Sequence, residues 1–240
     1  MTYCVGLRLN DGLVMLSDTR TNAGVDNIAT YRKTFIFENP GQCVITILTA
    51  GSLSVTQTAI ARLNDAIAAP DADETTSILK APTMLKVASL IGDTLAATRR
   101  EIAARMDMEQ QASASLIVGG QRRGGRMRLF LVYPEGNFIE ATDDTPFLQI
   151  GEHKYGKPLL DRVITPETSL EDGQKAALLS MDSTLRSNLS VGMPLDLTVI
   201  ERDTCAVSRS RRIPLGDPDF AAMSAAWAAA LRDSFRSIHI

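Results

Sequence analysis

The order of strand-forming and helix-forming segments is the feature of this sequence that most restricts its fold. A group of strands is followed by two helices, a second group of strands, two more helices and closing strands. Helices paired between antiparallel hairpins predict an α+β fold of two stacked sheets with a helix layer on each outer side, a four-layer αββα sandwich. No long linker interrupts this order, so residues 1–240 are predicted to form a single domain.

The first strands are predicted from apolar runs and turn signals. Asn10-Asp11-Gly12 is a strong hairpin signal, and Asn39-Pro40-Gly41 separates the next pair of runs. We expect the four strands to form one buried antiparallel sheet. They are predicted at 2–9, 13–18, 33–37 and 43–48.

The later elements are predicted from the spacing of apolar residues. Helices are predicted from Ser52 to Ala69 and at 83–105, 155–163 and 170–186. Strands at 115–118, 127–133, 138–140 and 147–150 are expected to form the second sheet, with a hairpin tip at 119–126. Closing strands are predicted at 195–201 and 205–208, across Asp203-Thr204.

Residues 217–240 are predicted to form an additional C-terminal amphipathic helix. The helix could pack on its own sheet or on a neighbouring subunit, and the sequence pattern alone leaves both open. Its apolar face is predicted to contain Phe220, Met223, Trp227, Leu231, Ser234 or Phe235, and Ile238.

Composition excludes several classes of partner. The chain has 25 Lys and Arg against 28 Asp and Glu, so its charge favours neither nucleic acid nor an anionic membrane. No run approaches the ~18 apolar residues of a membrane span. Three cysteines in apolar runs indicate reduced thiols and a cytoplasmic location. His153 and His239 lack metal-ligand spacing, so we expect no metal and no organic cofactor.

Two arginine-rich segments carry local positive charge that could bind a partner. The run Arg122-Arg123-Gly124-Gly125-Arg126 is compatible with contact to an acidic partner, but a solvated hairpin tip is the favoured interpretation. Arg209-Ser210-Arg211-Arg212 is also basic. Neither segment is interleaved with aromatic residues, so neither indicates a nucleic-acid site.

Thr2 is the candidate nucleophile. It follows Met1 directly and leads into an apolar strand. If Met1 is removed, Thr2 carries both a hydroxyl and a free α-amine, and an α-amine titrating near pH ~8 can take the hydroxyl proton. The residue would then supply its own general base.

Several short motifs resemble those of proteasome-type β-subunits, and most closely those of the bacterial Anbu proteins. They are the opening Thr2-Tyr3-Cys4-Val5-Gly6-Leu7, the segment Ser17-Asp18-Thr19-Arg20-Thr21-Asn22-Ala23-Gly24, Lys33, and Thr49-Ala50-Gly51-Ser52. The resemblance implies the N-terminal nucleophile hydrolase fold, a threonine-type peptidase acting on peptides or unfolded protein, and a ring or curved homo-oligomer. It also favours packing of the C-terminal helix on a neighbouring subunit.

The residues of these motifs fit the chemistry of amide hydrolysis. Thr2 would attack the carbonyl, while the charge of Lys33 favours the alkoxide. Asp18 would keep Lys33 protonated and oriented, and Arg20 is a candidate second cation of this cluster. Gly51 lies just before a helix, where its N–H could stabilise an oxyanion.

Supporting residues from the second half depart from the family pattern. In the family, a serine and an aspartate assist the threonine amine. Here Glu152 stands where that serine is expected and Ser187 where the aspartate is expected, whereas Ser190 matches a supporting serine. We consider Glu152 a candidate polar partner of the amine.

Three functions are therefore compared. The first is an N-terminal threonine peptidase within a homo-oligomer. The second is a proteasome-like scaffold with weak or no proteolytic activity. The third is an N-terminal nucleophile amidohydrolase that acts on small amides.

Overall fold

The computed structural model describes residues 1–22, 28–105 and 112–239, and Ala23 and Gly24 of the motif above, like Ile240, lie outside these ranges. The helices are α1 (Leu53–Ala68), α2 (Met84–Ala103), α3 (Lys157–Val163), α4 (Leu170–Ser187) and α5 (Pro218–Ser237). The strands are β1 (Tyr3–Leu9), β2 (Gly12–Asp18), β3 (Arg20–Asn22), β4 (Ile28–Thr30), β5 (Thr34–Asn39), β6 (Cys43–Gly51), β7 (Ala114–Arg122), β8 (Arg128–Val132), β9 (Phe138–Glu140), β10 (Phe147–Gly151), β11 (Leu195–Glu201) and β12 (Arg209–Ile213).

The two large sheets pack face to face between two helix layers. The first sheet has the order β10-β1-β2-β11-β12 and the second β5-β6-β7-β8-β9. An apolar cluster containing Met15 and Ile117 fills the space between the sheets. A second cluster lies between the second sheet and α1 and α2, and a third between the first sheet and α3 and α4. The predicted αββα sandwich is confirmed.

The assignment of strands to sheets was wrong at two places. Strands β1 and β2 belong to one sheet and β5 and β6 to the other, whereas one sheet was expected for all four. Strand β10 does not complete the second sheet but pairs with β1, opposite residues Tyr3 to Leu7. Turn signals specify the pairing of adjacent strands, while the choice of distant partners depends on which faces are buried together.

The last strand also lies later than expected. The predicted strand at 205–208 is a loop, with Asp203 and Cys205 at φ of 65° and 49°. Strand β12 instead covers the arginine-rich segment 209–213 and pairs Ile213 with Leu195. Because four of its five residues are exposed, apolar patterning could not reveal it. The short antiparallel pairing of β3 with β4 was also missed.

Helix α5 is divided into a packed half and an exposed half. Its first half lies on α4, where Ser224 Oγ donates to Asp182 Oδ1 at 2.8 Å and Arg186 Nη2 donates to Ser224 Oγ at 2.7 Å. Beyond this contact, Leu231 is 49% exposed and Phe235 79% exposed. The helix therefore packs mainly on α4, and its first turn also contacts the first sheet, where Arg211 Nη2 of β12 donates to Asp219 Oδ2 at 3.2 Å. Within the described ranges, no helix is both long and apolar enough to span a membrane.

Candidate active site

Asp18, at the end of β2, is the centre of a buried polar network. Its Oδ1 accepts hydrogen bonds from Tyr3 N at 3.1 Å and Lys33 Nζ at 2.8 Å. Its Oδ2 accepts from the amides of Arg20 and Gly192, each at 3.2 Å. One carboxylate thus joins the start of β1, the start of β3, the residue preceding β5 and the loop before β11.

Lys33 and Asp18 form an ion pair that is almost fully shielded from water. The side chains are 5% and 0% exposed. Lys33 Nζ also donates to the carbonyl of Arg20 at 2.5 Å. Burial raises the pKa of Asp18, while the Lys33 ammonium and the amides of Gly192 and Tyr3 act in the opposite direction. The lysine therefore has its charge compensated and its head group held in one place.

Thr2 is held beside this pair by backbone contacts. Its carbonyl accepts from the Glu152 amide at 2.8 Å, and the next amide, that of Tyr3, is bound to Asp18. Gly151 allows this approach, because it has a φ of +81° and a Cβ there would lie 1.9 Å from the Thr2 oxygen. Thr2 is 8% exposed, whereas Met1 is 60% exposed.

A pocket of about 310 Å³ opens above the pair. Thr2, Lys33 and Gly51 all line it. Met1 also lines the pocket, so the residue that precedes the candidate nucleophile lies within the space a substrate would use. The remaining lining residues are Thr21, Thr49, Ala50, Leu53 and Thr56.

Gly51 ends β6 and lines this pocket. Thr49 N donates to Lys33 O at 2.9 Å, and Ser52 N donates to Ser113 O on the opposite edge at 2.8 Å. Since successive amides point to alternate edges of a strand, Gly51 N–H faces the Lys33 edge, beyond the start of β5. The position requires glycine, because its φ is +105° and a Cβ there would lie 2.4 Å from the carbonyl oxygen of Ser113.

Tyr3 is an anchoring residue that sequence reasoning missed. Its ring is fully buried, and its hydroxyl contacts Ser180 Oγ at 2.6 Å and accepts from Gln149 Nε2 at 2.5 Å. Burial raises the pKa of Tyr3 to about 12, so the hydroxyl stays neutral. A single aromatic residue in an apolar strand carries no local signal for such contacts, since Gln149 and Ser180 come from distant elements.

Arg20 joins the network through its backbone. Its amide and carbonyl contact Asp18 and Lys33, but its Nη1 donates to the Leu189 carbonyl at 2.8 Å. Gly192 leaves room for the guanidinium, because a Cβ there would lie 2.2 Å from Arg20 Nε. The side chain therefore fastens the loop before β11 and is not a second cation of the ion pair.

The three expected supporting residues are placed differently from one another. The Glu152 amide contacts Thr2, and its carboxylate lies 3.7 Å from Lys154 Nζ. Ser187 is an exposed residue at the end of α4, and the described contacts include no hydrogen bond of its hydroxyl. Ser190 is half-buried, and its amide donates to Asn188 Oδ1 at 2.9 Å. Of these three, Glu152 is the one tied directly to the candidate nucleophile.

Two other kinds of chemistry have little support at this site. Burial raises the pKa of the Cys4 thiol, which donates to the Thr49 carbonyl, so Cys4 is an inert core residue. Across the ranges that the structure covers, no group of three or more His, Cys, Asp and Glu side chains could hold a metal ion.

Comparison with known proteins identifies the family. The family model described as proteasome subunit matches residues 2–200. A comparison with curated proteins gives no significant match.

Solved structures give full-length similarity. A Gly-1 mutant of Anbu from Hyphomicrobium sp. strain MC1 is 50% identical, with a TM-score of 0.93 over 100% of this chain and 99% of that chain. Anbu (ancestral beta-subunit) from Yersinia bercovieri is 41% identical, with a TM-score of 0.92 over 99% of this chain and 98% of that chain. A chain of the helical assembly of the Anbu complex from Pseudomonas aeruginosa is 43% identical, with a TM-score of 0.89 over 99% of this chain and 97% of that chain. The chain therefore belongs to the proteasome subunit family, within its Anbu group, and has the N-terminal nucleophile hydrolase scaffold of that family.

Proposed function

We propose that the chain is an N-terminal threonine peptidase that hydrolyses peptide bonds with Thr2 as nucleophile. The observation that carries this proposal is that Thr2, Gly51 and Lys33 line one pocket, with the Lys33 ammonium paired to the buried Asp18 behind it. The positive charge of the Lys33 ammonium favours the alkoxide form of a neighbouring hydroxyl. The Asp18 carboxylate keeps this lysine protonated although it is buried.

The reaction would proceed through an ester of Thr2. The free α-amine takes the proton of Thr2 Oγ1, directly or through a water, as the oxygen bonds to the substrate carbonyl carbon. The Gly51 N–H then stabilises the oxyanion, an interaction typically contributing ~3 kcal/mol. The resulting ammonium protonates the leaving amine as the C–N bond breaks. The same amine then deprotonates a water molecule, whose oxygen attacks the ester carbonyl. As the bond from the carbonyl carbon to Oγ1 breaks, the ammonium returns the proton to Oγ1 and the free amine is restored.

Removal of Met1 is a precondition of this mechanism. While Met1 is attached, the Thr2 nitrogen is an amide that cannot act as a base, and Met1 lies in the pocket. Hydrolysis of the Met1–Thr2 bond would free both the amine and the space. Intact-protein mass spectrometry of the purified chain tests this step, and retention of Met1 would exclude both the peptidase and the small-amide hydrolase.

A reactive probe separates the remaining functions. An epoxyketone or β-lactone should label the processed chain, and labelling should disappear in Thr2→Ala. Turnover of peptides together with labelling supports the peptidase, whereas turnover of small amides alone identifies an amidohydrolase. The scaffold is the second candidate, favoured by the exposed position of Ser187 where the family has an aspartate. Absence of labelling in a chain without Met1 would establish it.

We further propose that the chain works as a homo-oligomer in the cytoplasm. The P. aeruginosa relative is described as a helical assembly. In this chain, Leu231 and Phe235 on α5 and Ile238 directly after it are exposed apolar side chains, a feature typical of a protein interface. The cysteines Cys4, Cys43 and Cys205 are free thiols, which supports a reducing compartment.

A further inference from the structure

A second concave site lies at the opposite end of the second sheet from Thr2. Strand β7 starts beside Gly51, which pairs with Ala114, and ends at Arg122, which pairs with Cys43. Its nine residues span roughly 26 Å at about 3.3 Å per residue. A cavity of about 600 Å³ opens at that far end, between the start of α2 and the tip of the β7–β8 hairpin.

The cavity is strongly basic although the chain is not. Four arginines line it against one acid, Glu140, while the whole chain has a net charge of -3. The arginines are Arg122, Arg123, Arg126 and Arg128. This concentration of one charge in a concave site attracts anions more strongly than the same charges spread over a flat surface.

Two of the arginines already have partners. Arg122 donates to the carbonyls of Ile78 and Leu79 at 3.4 and 3.1 Å. Arg128 binds Glu140 in a bidentate contact through one edge of its guanidinium, with Nε donating to Oε1 at 2.7 Å and Nη2 to Oε2 at 2.5 Å. The contact between Arg128 and Glu140 has the bidentate geometry in which a guanidinium recognises a carboxylate or a phosphate.

Arg123 and Arg126 are available to a ligand. Both are exposed, and neither side chain forms an ion pair or a hydrogen bond with any residue that the structure describes. The turn between them is held in shape, since Gly125 N donates to Arg122 O and Arg123 N donates to Gln42 O, each at 2.8 Å. Gln121 Nε2 also donates to the Gly125 carbonyl at 2.9 Å. A turn fixed in this way lowers the entropy lost when a ligand is bound.

We propose that this cavity, which we name the arginine pocket (residues 82–84, 122–126, 128 and 140), binds a small polyanion carrying two or more phosphate or carboxylate groups. Its volume lies in the range of about 300–1,000 Å³ typical of small-molecule sites. It is far larger than one inorganic phosphate requires. The lining contains no aromatic side chain on which a base could stack, which disfavours nucleic acid. The dipole of α2 adds to the positive potential at its N-terminal end, beside Thr83. The first turn of α2 contains no acidic residue that would offset it.

Calorimetric titration of the full chain with tripolyphosphate and with citrate tests the proposal. Comparison of the two affinities distinguishes a site for phosphate groups from a site for carboxylate groups. At low salt, saturable binding of at least one of them is expected, with affinity falling as salt rises. Substitution of both Arg123→Ala and Arg126→Ala should weaken it by ~10-fold or more. Glu140→Gln should strengthen it, because the substitution releases Arg128.

The matched control removes the same charge elsewhere. Arg202→Ala with Arg209→Ala changes two exposed arginines outside the pocket and should leave affinity within about twofold. Equal weakening in this control, absence of saturable binding by either anion, or tighter binding of an oligoglutamate peptide than of both small anions would each overturn the proposal. Thr2→Ala should bind like the unaltered chain, so the result is independent of the proposed peptidase.

Discussion

The ammonium of Lys33 lies 2.8 Å from Asp18 Oδ1, with both side chains withdrawn from water. Removing one partner leaves a buried charge without compensation, so Lys33→Met and Asp18→Asn should each lower the free energy of unfolding by about 3–5 kcal/mol. The double substitution should recover much of this loss. Urea denaturation of the two single variants and the double variant measures the coupling.

An exposed ion pair provides the control for this cycle. Lys175 and Asp172 are 2.6 Å apart, but their side chains are 56% and 61% exposed. Lys175→Met should therefore cost less than about 1 kcal/mol. Strictly additive effects of the Lys33 and Asp18 substitutions would contradict a coupled buried pair.

Substitution of two glycines distinguishes the cost of backbone strain from the cost of a steric clash with Thr2, the candidate nucleophile. Gly151 and Gly216 share a φ of +81°, but only at Gly151 would a Cβ meet another atom, the Thr2 oxygen at 1.9 Å. Alanine at either position should cost about 1–2 kcal/mol from the backbone conformation. Gly151→Ala should cost more and should displace Thr2, reducing the rate of probe labelling, whereas Gly216→Ala should leave that rate unchanged. Equal effects at both positions in unfolding and labelling would disprove the steric role.

Stability should depend on pH at alkaline values through Tyr3. Its pKa is raised by burial to about 12 in the folded chain, against 10.0 for a free tyrosine, so the unfolded chain loses this proton first. The stabilising contribution is therefore complete below pH 10 and is lost as the pH rises towards 12, amounting to roughly 3 kcal/mol.

Comparison with Tyr3→Phe isolates this effect. The variant should lose about 1–3 kcal/mol at neutral pH, because Ser180 and Gln149 lose their partner. Its unfolding free energy should then fall less steeply than that of the unaltered chain between pH 10 and 12. Denaturation curves across this range supply the measurement, and parallel slopes would contradict the assignment to Tyr3.

The exposed half of α5 should control self-association. Leu231→Glu with Phe235→Glu places charge on side chains that are 49% and 79% exposed, so the fold of one subunit should be little affected. The mass measured by light scattering after size exclusion should fall to that of a smaller species. Leu215→Glu, at a side chain 83% exposed outside α5, should leave the mass unchanged. An unaltered mass in the double variant would rule out this interface.

The sequence by itself determined the layered architecture and the candidate catalytic positions in its first quarter. Element order predicted the αββα sandwich, because paired helices and antiparallel hairpins each bury one face. The hairpin at Asn10-Asp11-Gly12 and the positions of Asp18, Lys33 and Gly51 at strand ends were likewise readable, since turns and strand ends have local signatures.

Only the tertiary structure decided which distant elements meet. The pairing of β10 with β1 brings Gly151 and Glu152 to Thr2, and the loop before β11 brings the Gly192 amide to Asp18. Neither contact can be predicted from the local spacing of apolar residues, because each depends on the burial of whole sheet faces against one another. The same holds for the orientation of Arg20, whose side chain follows the space left by Gly192 and not the charge of its neighbours in the sequence.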